Sequence, residues 1–446
     1  MLKAGFSRVN ITPSMGIPML GYYIERRAEG VLDELEVNAL ALSIDNDLSI
    51  LVSVDICELE EFLIQNIEDK VSSTLGLKKE QLFIHTTHTH TGPGKSLTYG
   101  YDDKLLDEYF NNLYSKITDA IYLAIQDLKP ARVGIGDGIA PNVAFIRRFL
   151  MKDGSVMTNP GVNNPDIVRP LSIVDDKVEV LRIDRDGADT LVVINFGLHP
   201  DTVGGSKISG DWPNFARKYT EKVLDNVKCI FFNGAQGDVN HVNVRPTGGD
   251  FNGLHEDFDG CSRGYEHTKH IGRVVAGAVL QAYDKVNYVQ VDSLKSIRKT
   301  IHVPSNMPTK EELKVALEYD RLHKEGRDDM IPYKGMMLTT VVAEASRMVS
   351  LQNGPTTFPV TLSIVKIGKL AFVGCQGEPF TDVGRLLKDI KGFDKIFPCC
   401  LVNGGEGYYP TAKAYDEGGY EARSSKFKKG VGELLVGEVE KALNSL

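Results

Sequence analysis

The amino-acid sequence predicts a mixed α/β fold in which mixed sheets are flanked by helices. Short apolar runs rich in Val, Ile and Phe alternate along the chain with longer segments of helical spacing. Apolar residues make up 42% and charged residues 25% of the 446 residues, which is the balance of an ordinary globular protein. No repeat, low-complexity tract or linker interrupts the pattern, so we expect residues 1–446 to form a single domain.

Periodicity and turn residues define the expected elements of the first half of the chain. They are a short strand and Gly/Pro-rich loop at 7–22, strands at 37–44 and 48–55, a helix at 58–75, a strand at 81–87, a helix at 104–127 and a strand at 131–136. The strands on either side of Asp45-Asn46-Asp47 are expected to form a hairpin. Residues 137–175 are rich in Asn, Pro, Gly and Arg, which predicts a long, irregular, functional loop.

The second half of the chain continues the same alternation. Its expected elements are a hairpin of 178–183 and 190–196, a helix at 213–225, a strand at 229–233, a loop at 243–263, a helix at 266–284, a β segment at 286–303, helices at 308–324 and 337–351, strands at 358–367 and 369–375, a helix at 380–390, a strand at 397–402 and a helix at 428–445. The segments are long enough to build a large core.

Polar residues suited to chemistry follow five of the predicted strands, where each apolar run ends. These ends carry His88 with His90, His199, Asp238 with Asn240, Glu378, and Tyr408. In α/β proteins, ligands bind beyond the strand ends, where loops converge. Five such ends together indicate a binding site more strongly than any one of them.

The first of these ends is a His-Thr-His sequence before Gly-Pro-Gly. Side chains two residues apart on a strand share a face, so His88 and His90 are expected to point together and His85 to point away. Two imidazoles on one face can hold a metal ion, or one can hold it while the other moves protons. The alternative is a polar strand end whose histidines hydrogen-bond to the backbone.

The other candidates also have structural interpretations. His199 could be a buried or capping histidine, Glu378 a carboxylate at a helix N-terminus, Asp238 a turn or capping residue, and Tyr408 a packed aromatic residue. Arg147 lies in the Asn/Pro-rich loop. It could bind an anion or polarise a carbonyl group, or it could form a surface ion pair.

Charge and composition limit the classes of molecule that the protein is expected to bind. A net charge of -9 without a long basic run argues against nucleic-acid or anionic-membrane binding, and a small-molecule substrate is expected instead. No run approaches the roughly 20 apolar residues of a membrane span. The N-terminus lacks the apolar region of a secretory signal, so we expect a cytoplasmic location. The six cysteines show no CxxC spacing and are expected to be reduced core residues.

Five groups of short motifs occur in a fixed order along nearly the whole chain. They are RVNITP at 8–13 with PMLGY at 18–22, THTHTGP at 87–93, GAQGDVN at 234–240, GEPFT at 377–381 with GR at 384–385, and GY at 407–408 with Tyr415 and YE at 420–421. Together they resemble the catalytic domain of the neutral, non-lysosomal ceramidase family. The resemblance implies that family's catalytic-domain fold.

The resemblance also implies a zinc centre. Carried over by motif, the zinc ligands are His88, His199, Glu378 and Tyr408. His90 would then lie beside the metal as a proton shuttle, and Arg147 matches a family arginine that contacts the reacting group. A set of nitrogen and oxygen donors suits zinc, although Mn or Fe could also fit.

Departures from the family bear on the substrate. Asn240 stands where the family has a serine, so a mechanism that needs that hydroxyl is closed. We also expect this protein to differ from the secreted members in having no C-terminal β-sandwich and no signal peptide. We therefore expect a zinc-dependent hydrolase that cleaves an amide, ester or lactone bond of a small polar substrate, with Asp238 and Asn240 orienting water or substrate. Retained ceramidase activity and a metal-containing binding protein without turnover are the alternatives.

Overall fold

Two main sheets pack face to face, and helices cover their outer faces. The computed structural model describes residues 1–95, 103–246, 255–256 and 262–446. In spatial order the strands of the first sheet are Val227–Asn233, Thr190–Phe196, Lys177–Arg185, Lys129–Ile139, Leu2–Asn10, Glu36–Ile44, Asp47–Val54 and Leu82–Thr86, and Asn287–Val289 also pairs with Lys129–Ile139. The outermost pair at each end of this order is parallel, and the pairs between them are antiparallel.

The strand Glu36–Ile44 shows why an apolar run is buried on both faces of the first sheet. Val37 and Ala39 point into the layer that holds the helices, whereas Leu40 and Leu42 point into the core between the two sheets. Because successive strand residues face opposite sides, a strand between two apolar layers needs apolar residues at consecutive positions.

The second sheet closes the other side of the inter-sheet core. Its strands, in order, are Leu294–Pro304, Thr357–Ile367, Leu370–Cys375 and Lys395–Cys399. The ring of Phe372 in this sheet lies 6.4 Å from that of Phe83 and 5.7 Å from that of Phe232, both in the first sheet. Edge-to-face aromatic contacts of this kind add to the stabilisation that comes from burying the rings.

Helices cover the outer faces of both sheets. Glu61–Leu75, Lys104–Gln126, Asp211–Val223 and Tyr265–Tyr283 pack on the first sheet, Thr381–Lys388 and Val431–Asn444 pack on the second, Lys310–Lys324 and Gly335–Leu351 pack on each other, and Ala412–Glu417 and Tyr420–Ser424 are short. Asp103 caps Lys104–Gln126 by accepting hydrogen bonds from the amides of Leu105 and Leu106. Among the described residues, no helix is long and apolar enough to span a membrane.

The predicted mixed α/β fold is confirmed, but the predicted irregular loop at 137–175 is wrong in part. It contains the short strands Phe145–Ile146, Arg148–Met151, Val156–Thr158 and Ile167–Pro170. Strands of two to four residues are too short to show a clear period of two, and tertiary pairing forms them. Five cysteines are buried and reduced as expected, whereas Cys261 and most of the predicted loop 243–263 lie outside the described residues.

Further short strands tie loops together. Gly30–Val31 pairs with Lys207–Ile208, Val239–Asn240 with Phe145–Ile146, His255–Glu256 with Ser262–Arg263, and Glu378–Pro379 with Tyr408–Tyr409. The pair that joins Glu378 directly to Tyr408 bears on the site, because it fixes two candidate ligands relative to each other.

Candidate metal centre

Three side chains from distant parts of the chain converge at one buried point. Ligating atoms of His88, His199 and Glu378 all lie within 4.8 Å of one another. Glu378 Oε2 is 2.9 Å from His199 Nε2 and 3.5 Å from His88 Nε2. The structure thus brings together three of the four residues that the sequence predicted as metal ligands.

The backbone fixes which nitrogen of each histidine faces this point. His88 Nδ1 is 2.9 Å from the carbonyl oxygen of Cys57. His199 Nδ1 is 2.9 Å from that of Gln236 and 3.0 Å from that of Val239. A carbonyl oxygen only accepts hydrogen bonds, so each Nδ1 carries the proton and each Nε2 offers a lone pair towards Glu378.

This arrangement fits a metal ion. His199 Nε2 and Glu378 Oε2 are buried and have no hydrogen-bond partner among the described residues. Two acceptors 2.9 Å apart repel each other unless a cation lies with them. Imidazole and carboxylate donors are the ligands that zinc takes in catalytic sites, so the residues present fit zinc.

Charge at the site favours a dication. Burial opposes the ionisation of Glu378, but His88, His199 and Arg147 outweigh it and lower the pKa of Glu378 to about 2. Burial also lowers the pKa of His88, which favours the neutral imidazole beside this carboxylate.

Strand alternation is not the reason why the rings of His88 and His90 lie close together. The strand ends at Thr86, and His88 has a left-handed φ of +73°, which is uncommon for a residue with a Cβ. This local conformation, rather than a strand face, turns His88 so that its ring lies 4.8 Å from the ring of His90. His85 points away as predicted, and its Nε2 accepts a hydrogen bond from the amide of Asn233.

Tyr408 pairs with Glu378 through the backbone, and its side chain contacts Arg147. Arg147 Nη2 donates to the Tyr408 hydroxyl at 3.1 Å, and Arg147 Nε donates to Glu421 at 2.6 Å. Burial and the charge of Glu378 raise the pKa of Tyr408, although Arg147 opposes the increase. The predicted alternative of a surface ion pair for Arg147 does not hold, because both Arg147 and Glu421 are buried.

His90 is a neighbour of the centre with its own partner. Its Nε2 is 3.2 Å from His88 Nε2, and its Nδ1 is 3.4 Å from Asp201. Asp201 is held by Arg263 at 2.9 Å and by the Tyr22 hydroxyl. Burial lowers the pKa of His90 well below its ordinary value. His90 therefore lies where it could exchange a proton with a molecule bound at the centre, or serve as an alternative ligand.

Asp238 and Asn240 make contacts that hold loops in place. Asp238 Oδ1 accepts a hydrogen bond from the amide of Thr381 at 2.8 Å, at the start of the helix that follows Glu378. The Asn240 side chain accepts from the amide of Val242 at 3.0 Å and donates to Asn159 at 2.8 Å. The structure thus favours the capping interpretation of Asp238 and gives Asn240 a structural use for both ends of its amide.

Several residues at the site were not assigned a role from the sequence. Cys57 contributes the carbonyl oxygen that orients His88, Asp201 lies beside His90, and Glu421 pairs with Arg147. Tyr420 lies with its ring 5.7 Å from that of Tyr408. Tyr420 and Glu421 belong to one of the motifs that carry the family resemblance, and this motif is the sequence signal that could have identified them.

Comparison with known proteins supports the fold. No protein-family model matches the sequence, and no curated protein matches it. The neutral ceramidase from Pseudomonas aeruginosa has a similar structure, with a TM-score of 0.73 and 17% identity over 100% of this chain and 75% of that chain. A solved structure described as a ceramidase complexed with C2 gives a TM-score of 0.73 and 16% identity over 100% of this chain and 76% of that chain. The expected ceramidase-like fold is therefore confirmed.

Proposed function

We propose that this protein is a zinc-dependent hydrolase that cleaves an amide bond, or an ester or lactone bond, of a small polar substrate. The observation that carries the proposal is the convergence of His88, His199 and Glu378, with buried acceptor atoms that lack partners. The likeness to ceramidases, which shows the fold, makes hydrolysis the natural reaction class.

Four residues would hold the ion, and neighbouring residues would act on the substrate. The proposed ligands are His88, His199, Glu378 and Tyr408. Zinc acts in such sites as a Lewis acid that polarises a carbonyl group and lowers the pKa of water from about 16 towards 7. Arg147 carries a fixed positive charge beside the Tyr408 hydroxyl, and either group could stabilise the negative charge that develops on the substrate oxygen.

Proton transfer falls to His90 in this proposal. Its ring lies within 5.9 Å of the His199 ring and 4.8 Å of the His88 ring, and Asp201 lies beside its far nitrogen. Because burial lowers its pKa, His90 would first take a proton from the attacking water and then donate it to the leaving group. Asp238 and Asn240 would position the loop that faces the substrate.

The test combines metal analysis with an activity screen. Purified protein is expected to contain about one zinc ion per chain and to hydrolyse at least one class in a panel of amides, esters and lactones. His88→Ala is expected to lose both, whereas His302→Ala, which changes an exposed histidine, is expected to lose neither. A folded His88→Ala protein that lacks zinc but retains full activity would rule out the proposal.

Ceramidase activity is the second candidate, and the structural likeness to ceramidases favours it. Hydrolysis of a fluorescent ceramide, compared with short N-acyl compounds at equal concentration, separates the two substrates. Metal binding without turnover of any compound would identify a binding protein instead.

A further inference from the structure

Two tyrosines join distant parts of the chain at the rim of the metal centre. The hydroxyl oxygens of Tyr23 and Tyr420 are 3.0 Å apart, although the residues are 397 positions apart in the chain. The ring of Tyr420 meets that of Tyr408 edge-on, with centroids 5.7 Å apart and planes inclined at 74°. Tyr23 and Tyr420 are both partly exposed, so the pair faces solvent and at the same time contacts a proposed metal ligand.

The charges at the site also place Tyr23 beside the ligands. Burial raises the pKa of Tyr23, its hydrogen bond to Tyr420 opposes this increase, and the negative charge of Glu378 adds to it. Burial and the charge of Glu378 raise the pKa of Tyr408, and Tyr23 adds to the increase. Because the interaction between charges falls off with distance, Tyr23 lies near both Glu378 and Tyr408.

The loop that carries Tyr23 is fixed to the histidine segment. The buried Arg26 side chain donates to the carbonyl oxygen of Leu20 at 2.9 Å and to that of His90 at 2.6 Å. Its guanidinium carbon lies 4.0 Å from the centroid of the Tyr22 ring, and the same ring lies 5.4 Å from that of His90. Movement of Tyr23 away from the centre therefore requires that charge-assisted hydrogen bonds break.

Tyr420 is fixed from the other side of the pair. Its amide donates to the hydroxyl oxygen of Thr158 at 3.3 Å, and the Thr158 hydroxyl donates to Glu421 at 2.9 Å. Glu421 in turn accepts the hydrogen bond from Arg147. Both tyrosines are thus held by groups that also position residues of the candidate site.

We propose that the Tyr23–Tyr420 pair limits the length of the acyl group that the centre accepts, so that the preferred substrates carry an acetyl group rather than a long acyl chain. The inference rests on the proposed hydrolase function, in which Tyr408 acts on the carbonyl oxygen and His90 on the leaving group. The acyl group is then the part of the substrate that meets the pair. A long chain there has to break the hydroxyl contact and displace a ring that packs on Tyr408.

Two esters with the same leaving group test the proposal on the zinc-loaded, full-length protein. They are p-nitrophenyl acetate and p-nitrophenyl octanoate, which differ only in the length of the acyl chain. We expect kcat/KM of the wild type to favour the acetate by about 10-fold or more. Tyr23→Ala removes the ring and the hydroxyl contact, and it is expected to reduce this preference by about 10- to 100-fold.

Tyr122→Ala is the matched control, because Tyr122 is an exposed tyrosine on the helix Lys104–Gln126. It should keep the wild-type preference. A wild type that cleaves the octanoate as well as the acetate, or an unchanged preference in folded Tyr23→Ala, overturns the proposal. If Tyr23→Ala does not fold by circular dichroism, Tyr23→Phe decides. It keeps the ring and loses the hydroxyl contact, so the preference should fall by about 3-fold or more, and an unchanged preference counts against the proposal.

Hydroxamate binding separates this inference from the proposed function. Acetohydroxamate and octanohydroxamate bind a metal ion through the same group, so their affinities report on acyl length without turnover. If neither ester is cleaved, the wild type should still bind acetohydroxamate about 10-fold or more tightly than octanohydroxamate, and Tyr23→Ala should bind the two more equally. The same discrimination in both proteins overturns the inference. Failure of acetohydroxamate to bind the wild type overturns it together with the proposed zinc centre.

Discussion

Replacing Asp238 with asparagine tests whether this residue stabilises the helix behind Glu378. Asp238 is 1% exposed, and its Oδ1 accepts the hydrogen bond from the amide of Thr381. Burial raises the pKa of Asp238 from 3.8 to about 6, while Thr381 and Arg148 oppose the increase. A difference of about two pKa units corresponds to roughly 3 kcal/mol between the protonation states.

The direction of the pH effect follows from this raised pKa. Above about pH 4 the unfolded chain releases the Asp238 proton, whereas the folded protein keeps it until about pH 6. The stabilisation from the protonated carboxyl group is therefore complete below pH 3.8 and is lost as the pH rises through 6. Asparagine carries no titrating proton and keeps the oxygen that accepts from Thr381, so Asp238→Asn should lack this loss.

Urea unfolding at pH 5 and pH 8 measures the difference. The unfolding free energy of Asp238→Asn, relative to the wild type, is expected to rise by about 1.5 kcal/mol between the two values. Asp45→Asn makes the same charge change in an exposed hairpin turn and corrects for the loss of one negative charge. Asp238→Ala removes the acceptor and should cost about 1 kcal/mol more than Asp238→Asn at either pH. The same pH slope in Asp238→Asn as in the wild type would refute this reasoning.

Three further predictions concern the centre itself. If metal is removed with a chelator and zinc is then added back, the added zinc should raise the thermal midpoint. At a free zinc concentration 100 times the dissociation constant, the stabilisation should be about 2.7 kcal/mol. A thermal midpoint that does not depend on zinc would contradict a zinc site. Glu421→Gln should lower the unfolding free energy by about 3 kcal/mol in urea, because it leaves Arg147 buried without its carboxylate; a change below 1 kcal/mol would show that the pair is dispensable. Gly21→Ala places a Cβ 2.7 Å from His90 Cβ at a φ of +120°, so it should displace His90 and lower kcat about 100-fold while zinc content stays constant. Zinc loss in Gly21→Ala would instead identify His90 as a ligand.

The sequence predicted the fold where patterns were long. The hairpin of Glu36–Ile44 and Asp47–Val54 and the helix Lys104–Gln126 follow from turn residues and apolar spacing that extend over many positions. The two-residue strand that contains Glu378 could not be predicted in this way, because its pairing with Tyr408 depends on contacts between residues 30 positions apart. Short pairings of this kind are set by the tertiary structure.

At the candidate site, the sequence indicated which residues come together but not the local backbone conformation that positions them. Motif order indicated His88, His199 and Glu378, and the structure brings them together. The left-handed conformation of His88 could not be predicted from the sequence, because a positive φ is uncommon for any residue with a Cβ, although histidine adopts it more often than most.

The centre is held in place by contacts that do not involve a metal. The amide of Glu378 donates to the carbonyl oxygen of Gly407 at 2.8 Å, and the amide of Gly237 donates to that of Pro379 at 2.9 Å. Asp238 then caps the next helix through Thr381. The segments that carry the candidate ligands are thus bonded to one another through their backbones. We therefore expect the site to be formed before the ion binds, so that metal removal abolishes activity and lowers stability without unfolding the protein.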